Sequence, residues 1–258
     1  MAALVLLALL VFRPGGAALP RDPAQAVIEL QKRIRQSPEI EENYTALGNL
    51  LLHTQNFREA ALVLEHARQK FPQSAQAALS LGVAYYGLRR FEEAVVQFLE
   101  AGRLDGDAEQ PIIFLSRMAE SWGSRKEEVI ALFAAFLKRH PRSALAHLAL
   151  GRATADVTLL RKAVKLNPTS AEAYIELGSV LQAERKYAEA IHTLRRAAAL
   201  APKNPIPPYR LAQLYARIGD QARAKAARAL HEKLAAAEQA ELDRRQAEAK
   251  HLNLRVAP

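Results

Sequence analysis

The 258-residue sequence predicts an all-α fold, a right-handed superhelical solenoid of stacked helix hairpins with a long C-terminal capping helix. Three observations carry that prediction. Half of the residues are hydrophobic and only 6% aromatic, while Ala, Leu, Arg and Glu recur throughout and Gly is sparse. These side chains lose little rotamer freedom in a helix, so the balance favours helix over sheet. A pattern of apolar and small residues returns at intervals of 34, and Pro or Gly punctuates the copies where a helix must stop.

The N-terminus comes first. Ala2 to Phe12 is an unbroken apolar run, followed by Arg13-Pro14-Gly15-Gly16 and the small pair Ala17-Ala18. The run is too short to span a bilayer and has the length of the apolar core of an export signal, with cleavage expected before Leu19. No Lys or Arg precedes it and Arg13 follows closely, so a mis-assigned start or a helical cap is the alternative. The absence of Cys excludes a lipoprotein anchor. Residues 1–18 are read as a signal peptide, which places the protein in the periplasm, the envelope or outside the cell; without a signal it is cytoplasmic.

Asp22-Pro23 begins a helix in which Ala26 and Leu30 precede Pro38, so residues 22–40 form an N-terminal cap. In 41–74 the pattern is Tyr44, Leu47, Gly48, Leu51, Phe57, Ala60, Leu64, Ala67 and Pro72. In 75–108 it is Ala78, Leu81, Gly82, Tyr85, Phe91, Ala94, Phe98, Ala101 and Gly106. It returns in 171–204 with Tyr174, Leu177, Gly178, Leu181, Tyr187, Ala190, Leu194, Ala197 and Pro202. Each copy holds two apolar stripes at helical spacing, hence a hairpin of two helices. Gly48 is expected to face Ala60, letting the helices approach closely.

The middle of the chain is irregular. Residues 109–142 keep Ile112, Leu115, Val129, Phe133 and Phe136 but carry Ser116 where Gly is usual, and one extra residue enters the turn at Trp122-Gly123. In 143–170, with Leu150-Gly151 taken as the Leu-Gly pair, about two helical turns are missing between Gly151 and Ala163. That copy is either a drifted spacer or a notch admitting a bulky partner. A partial sixth copy, 205–220, leads into a helix over 221–250 and a tail, 251–258.

The three well-kept copies closely resemble the tetratricopeptide repeat family, whose period is 34. The resemblance implies a concave wall built from the first helix of each pair, which serves as a partner groove. Counting from each repeat start places Asn49, Leu52 and His53 there, then Leu79, Val83 and Tyr86, then Ile113, Arg117 and Glu120. Members that bind chaperone tails use a clamp of Lys, Asn and Arg; here only Asn49 matches, with Thr45, Ser80, Gln110 and Phe114 at other clamp positions, so that ligand is not expected.

No Gly-rich phosphate loop, nucleophile elbow or paired-His zinc motif occurs, so neither catalytic nor cofactor-binding residues are expected. The seven histidines do not cluster, and no metal site is expected. Asp105-Gly106-Asp107 lacks the further oxygen ligands of a calcium loop and reads as a turn. The formal charge of +9 is uneven: residues 1–142 carry 17 Lys+Arg against 16 Asp+Glu, and 143–258 carry 19 against 11. Arg161-Lys162 and Arg195-Arg196, at matching places on second helices, form an expected basic convex stripe. It is either an ordinary solvated face or a contact for anionic membrane or acidic protein. The expected function is a non-catalytic scaffold binding another protein or peptide segment in an extracytoplasmic or envelope complex. The alternative is a regulatory subunit acting through the C-terminal helix. Nucleic-acid binding by the basic half is disfavoured because stacking aromatics are scarce there.

Overall fold

The computed structural model describes residues 19–256, so the expected signal peptide, 1–18, lies outside the described residues. Compact packing divides the chain into two units at Ala153/Thr154. The first holds α1 (Pro23–Gln36), α2 (Glu41–His53), α3 (Phe57–Lys70), α4 (Ala75–Gly87), α5 (Phe91–Leu104), α6 (Glu109–Arg117), α7 (Lys126–Arg139) and nearly all of α8 (Ala144–Thr154). The second holds α9 (Val157–Leu166), α10 (Ala171–Ala183), α11 (Tyr187–Leu200), α12 (Ile206–Arg217) and α13 (Gln221–Val256). Among the described residues there is no strand. The chain is an all-α solenoid of helix hairpins.

Serines and aspartates start several of the helices. Asp22 caps α1, Ser74 accepts from the Ala77 N–H at 2.9 Å, Asp156 caps α9 and Ser170 caps α10, each filling one of the donor sites that a helix N-terminus leaves open. Inside a hairpin the turn is equally regular. Its pivot residue is left-handed: Gln55, Arg89 and Arg185 at φ 61°, Ala155 at 54°, Gly123 at 52° and Gly219 at 84°. The next N–H reaches back five residues, as in Asn56 to Leu51 at 2.8 Å and Lys186 to Leu181 at 2.9 Å, which satisfies a carbonyl at the helix end.

Those pivots locate the irregularity. Gln55 to Arg89, Arg89 to Gly123 and Arg185 to Gly219 each span 34 residues, whereas Gly123 to Ala155 spans 32 and Ala155 to Arg185 spans 30. The loss falls on α8, which has 11 residues against 13 in α2, and on α9, which has 10 against 14 in α3. The hairpin is therefore six residues short, close to the two turns expected, and four of the six are lost from its second helix. Gly151 also lies four residues before its pivot, where the first copy has Leu51; Leu148 takes the place of Gly48, so Leu150-Gly151 is not the expected Leu-Gly pair.

The close approach is real, but its partner differs from expectation. A Cβ on Gly48 would stand 2.5 Å from Leu64 Cδ2, one on Gly82 2.6 Å from Phe98 Cε1 and one on Gly178 2.6 Å from Leu194 Cγ. Glycine faces the large residue one turn beyond the small Ala60, Ala94 or Ala190, so a side chain from the second helix fills the gap that glycine leaves. In the third copy α6 stops at Arg117 and two 3-10 turns follow, 119–121 and 123–125, before α7 begins one residue late. Trp122 closes the gap: its Nε1–H donates to the Leu115 carbonyl at 2.9 Å and its ring meets Phe133 edge-on at 5.9 Å. The C-terminal helix continues to Val256, taking in residues expected as tail.

Candidate functional site

The first helices of a repeat carry the expected inner surface, and in the first unit much of it is closed. Leu52 and Val83 have no exposure and belong to the apolar core, so they cannot contact a partner; this corrects their expected place in a groove. Asn49 is 8% exposed and its Oδ1 accepts from Ser80 Oγ at 2.7 Å, while Gln76 Nε2 reaches the same Ser80 at 3.1 Å. Its carbonyl oxygen is therefore committed to tying α2 to α4 instead of being open to a ligand. Successive first helices touch here, and that contact covers positions that face away from their own second helix.

The other expected residues are scattered. His53 is exposed at the end of α2, Tyr86 is half-buried against Phe91 with rings 5.5 Å apart, and Ile113 is half-buried on α6. Arg117 is the last residue of α6 and Glu120 lies in the 3-10 segment; both are exposed. Glu120 thus does not continue a helical wall. Leu79, 8% exposed, lines a cavity of about 250 Å³, with Gln76, Asp105, Gln110 and Pro111 around it. Its apolar floor and amide rim fit a small apolar side chain with a polar backbone.

In the second unit the inner face of the last hairpin is open. Ile206 is 47% and Tyr209 48% exposed, and a cavity of about 410 Å³ lies between α12 and α13, lined by Tyr209, Ala212 and Gln213 on one side and Arg228, His231 and Glu232 on the other. Tyr209 stands 34 residues after Ile175 at the matching place of the preceding copy, so the same count that selected Leu79 would have found it had it been carried past the third copy. The contribution of α13 had no signal in the repeat pattern.

Arg161, Lys162, Arg195 and Arg196 are all exposed, on α9 and α11. They match when counted back from the helix ends, Leu166 and Leu200. Arg161 is paired with Glu189, whereas Lys162, Arg195 and Arg196 have no ion-pair partner among the described residues. Among the described residues no group of three or more His, Asp or Glu side chains could hold a metal ion.

Residues 45–109 and 171–204 match tetratricopeptide repeat models. No curated protein matches the sequence. Similar solved structures include PilW, a type IV pilus biogenesis factor, with a TM-score of 0.60, 18% identity, 73% of this chain and 90% of that chain covered. A tetratricopeptide repeat protein from Parabacteroides merdae gives 0.58 and 13% over 83% and 87%. YrrB, a repeat protein with an unusual peptide-binding site, gives 0.55 and 16% over 69% and 95%. At these identities the likeness is one of fold. The two matched segments, the fold neighbours and the hairpin geometry agree: the chain is a tetratricopeptide repeat protein, built as a scaffold for protein–protein interaction.

Proposed function

We propose that the chain is a non-catalytic adaptor that holds a segment of another protein against the exposed inner faces of its first helices, in an extracytoplasmic complex. The single observation that carries the inner-face assignment is the exposed pair Ile206 and Tyr209 beside a cavity, because two large apolar side chains grouped at a concave site are what a partner segment covers, whereas singly exposed apolar residues are ordinary. The location rests on the apolar run at residues 2–12. A photo-crosslinking amino acid at Tyr86, Arg117 or Tyr209 should trap one common partner in cells, while the same group at Leu62 or His192, exposed on second helices, should not. Equal trapping from the second helices would overturn the assignment. An export signal predicts a mature N-terminus at Leu19.

The length of α13 supports a second reading, regulation of a larger assembly. At 36 residues it is more than twice as long as any other helix among the described residues, and it is exposed from Ala236 to Arg244. Truncation after Asp220 would strip Ala224 from the core, so the discriminating variant ends at Ala235. Loss of partner regulation with retained inner-face crosslinking would favour this reading.

A further inference from the structure

The second helices of the hairpins differ in charge between the units, although the repeat is the same. In the first unit α3, α5 and α7 together carry seven Lys+Arg and seven Asp+Glu, and pairs such as Arg68 with Glu100 at 3.6 Å join one of these helices to the next. In the second unit α9 and α11 carry Arg161, Lys162, Lys165, Arg195 and Arg196 against a single acid, Glu189. All five cations are exposed. Glu189 is committed to Arg161, a pair that ties α9 to α11, whereas Lys162, Lys165, Arg195 and Arg196 have no ion-pair partner among the described residues. The acids nearest in sequence are also engaged, Asp156 in capping α9 and Glu184 with Lys186 at 2.8 Å.

We propose that this outer face of α9 and α11 rests on an anionic membrane surface, with Lys162, Lys165, Arg195 and Arg196 set among the lipid phosphates. The face belongs to second helices and not to the inner surface, so the proposal adds to the adaptor reading without depending on it.

Helical spacing gathers the four. Lys162 and Lys165 are three residues apart and Arg195 and Arg196 are adjacent, all in the C-terminal halves of their helices. Lys165 and Arg195 each stand ten residues after a left-handed pivot, Ala155 or Arg185, so they hold the same place in successive copies; the first copy has Glu65 there.

The rest of the face selects lipid over protein. A specific protein contact is built round large apolar side chains that become buried, with charges at the rim. No large apolar side chain of α9 or α11 is exposed. Headgroups require no such anchor, because mobile phosphates gather at each cation and the attraction accumulates over neighbouring Lys and Arg. Nucleic acid is less well served: Tyr187, the only Phe, Tyr or Trp on the two helices, already has Arg217 over its ring at 5.9 Å.

Co-sedimentation of the full chain with vesicles tests the proposal. Vesicles of phosphatidylcholine with about 30% phosphatidylglycerol should bind about tenfold more tightly, or better, than phosphatidylcholine alone, and raising NaCl from about 50 to about 300 mM should remove the difference. The apolar run at residues 2–12 is common to every variant, so it cancels in the comparison. Lys162→Glu, Lys165→Glu, Arg195→Glu and Arg196→Glu combined should lower binding to the level of neutral vesicles. Circular dichroism checks the fold, and the same four changes to Gln carry the test if the Glu set unfolds. Arg58→Glu, Lys70→Glu, Lys126→Glu and Lys138→Glu combined make the same change in net charge at exposed positions of α3 and α7 and should stay within about twofold of the parent. Glu189→Gln, which releases Arg161, should tighten binding about twofold. Equal binding to the two vesicle types, or equal loss from the two sets of four, would overturn the proposal. So would tighter binding of duplex DNA or of a polyglutamate peptide than of the anionic vesicles at the same salt, which would assign the face to nucleic acid or to an acidic protein.

Discussion

Leu52 and Val83 in the first unit and Tyr209 in the second occupy the same kind of place, the side of a first helix turned away from its own second helix. The first two are fully buried and the third is 48% exposed. The difference teaches that a repeat determines its hairpin interior, whereas its neighbours determine its inner face. In the well-kept hairpins the glycine contact, the pivot and the cap recur in both units. On the inner face, α2 is tied to α4 by the bond between Asn49 and Ser80, whereas the inner face of α12 at Tyr209 opens on the cleft against α13.

The largest expected effect comes from placing a charge on each face. Val83→Asp leaves a carboxylate in the core without a partner, and should cost about 3 to 5 kcal/mol, as breaking a buried ion pair does. Tyr209→Asp, half in water, should cost less than about 1 kcal/mol. Urea denaturation of both variants measures the contrast, and similar losses would show that the two faces do not differ in this way.

The interior makes the opposite claim, that the units are alike. Gly82→Leu and Gly178→Leu each force a side chain into space held by Phe98 or Leu194, both without exposure. Overpacking of this kind costs about 1 to 3 kcal/mol or more. Thermal denaturation should show losses of similar size at the two sites. A midpoint unchanged for either would mean that its hairpin can open without penalty.

That division explains how much was legible. The 34-residue spacing revealed hairpins, helix ends and the well-kept copies because those features depend on residues within one repeat. Gly48 was rightly marked as a close contact, yet its partner is Leu64, since spacing gives a face of the second helix but not the height at which a side chain crosses. The shortened copy and the size of its loss were legible, but the misplaced Leu150-Gly151 pair put the whole loss after Gly151, whereas part of it falls in α8; the left-handed pivot at Ala155 has no residue signature, Ala being an uncommon choice there. The groove was least legible. Whether Asn49 is open or bonded depends on Ser80, 31 residues away on the next first helix, and the cleft at Tyr209 depends on a helix outside the repeat.

A smaller effect separates the units by chemistry at matching tyrosines. The Tyr85 hydroxyl donates to Glu65 at 2.8 Å, with Arg90 4.3 Å over the ring. Burial first, and then that bond, push the phenol from 10.0 up to about 12. A raised folded value means that the neutral phenol is favoured by folding, so its contribution is complete below pH 10 and is lost as pH rises towards 12. Tyr215, at the matching place on α12, has Arg223 beside its ring at 5.2 Å. Tyr85→Phe should cost about 1 kcal/mol near neutrality, and its deficit relative to the parent should shrink between pH 10 and 12. A deficit constant over that range would show that the bond to Glu65 is not formed in solution.

The smallest expected effect tests the feature that both units share most closely, the left-handed pivot. Gly123 in the first unit and Gly219 in the second adopt φ of 52° and 84°, and a Cβ added to either meets nothing within 4 Å. Substitution by Ala is therefore a purely conformational change, free of the packing terms that complicate Gly82 and Gly178. A side chain in the left-handed region costs roughly 1 to 2 kcal/mol. The reduced freedom of the unfolded chain returns about 0.4 to 1 kcal/mol of that. Gly123→Ala and Gly219→Ala should each destabilise by about 0.8 kcal/mol net, within a range of roughly 0 to 1.6 kcal/mol, and by similar amounts. Ala155→Gly, at the pivot of the shortened copy, is the reverse exchange and should be neutral or stabilising by a few tenths of a kcal/mol. Urea midpoints of the three variants measure this directly. A large loss at Gly219 alone would mean that α13 constrains its turn more tightly than the 3-10 segment constrains Gly123, and the turn, like the inner face, would then belong to the neighbours and not to the repeat.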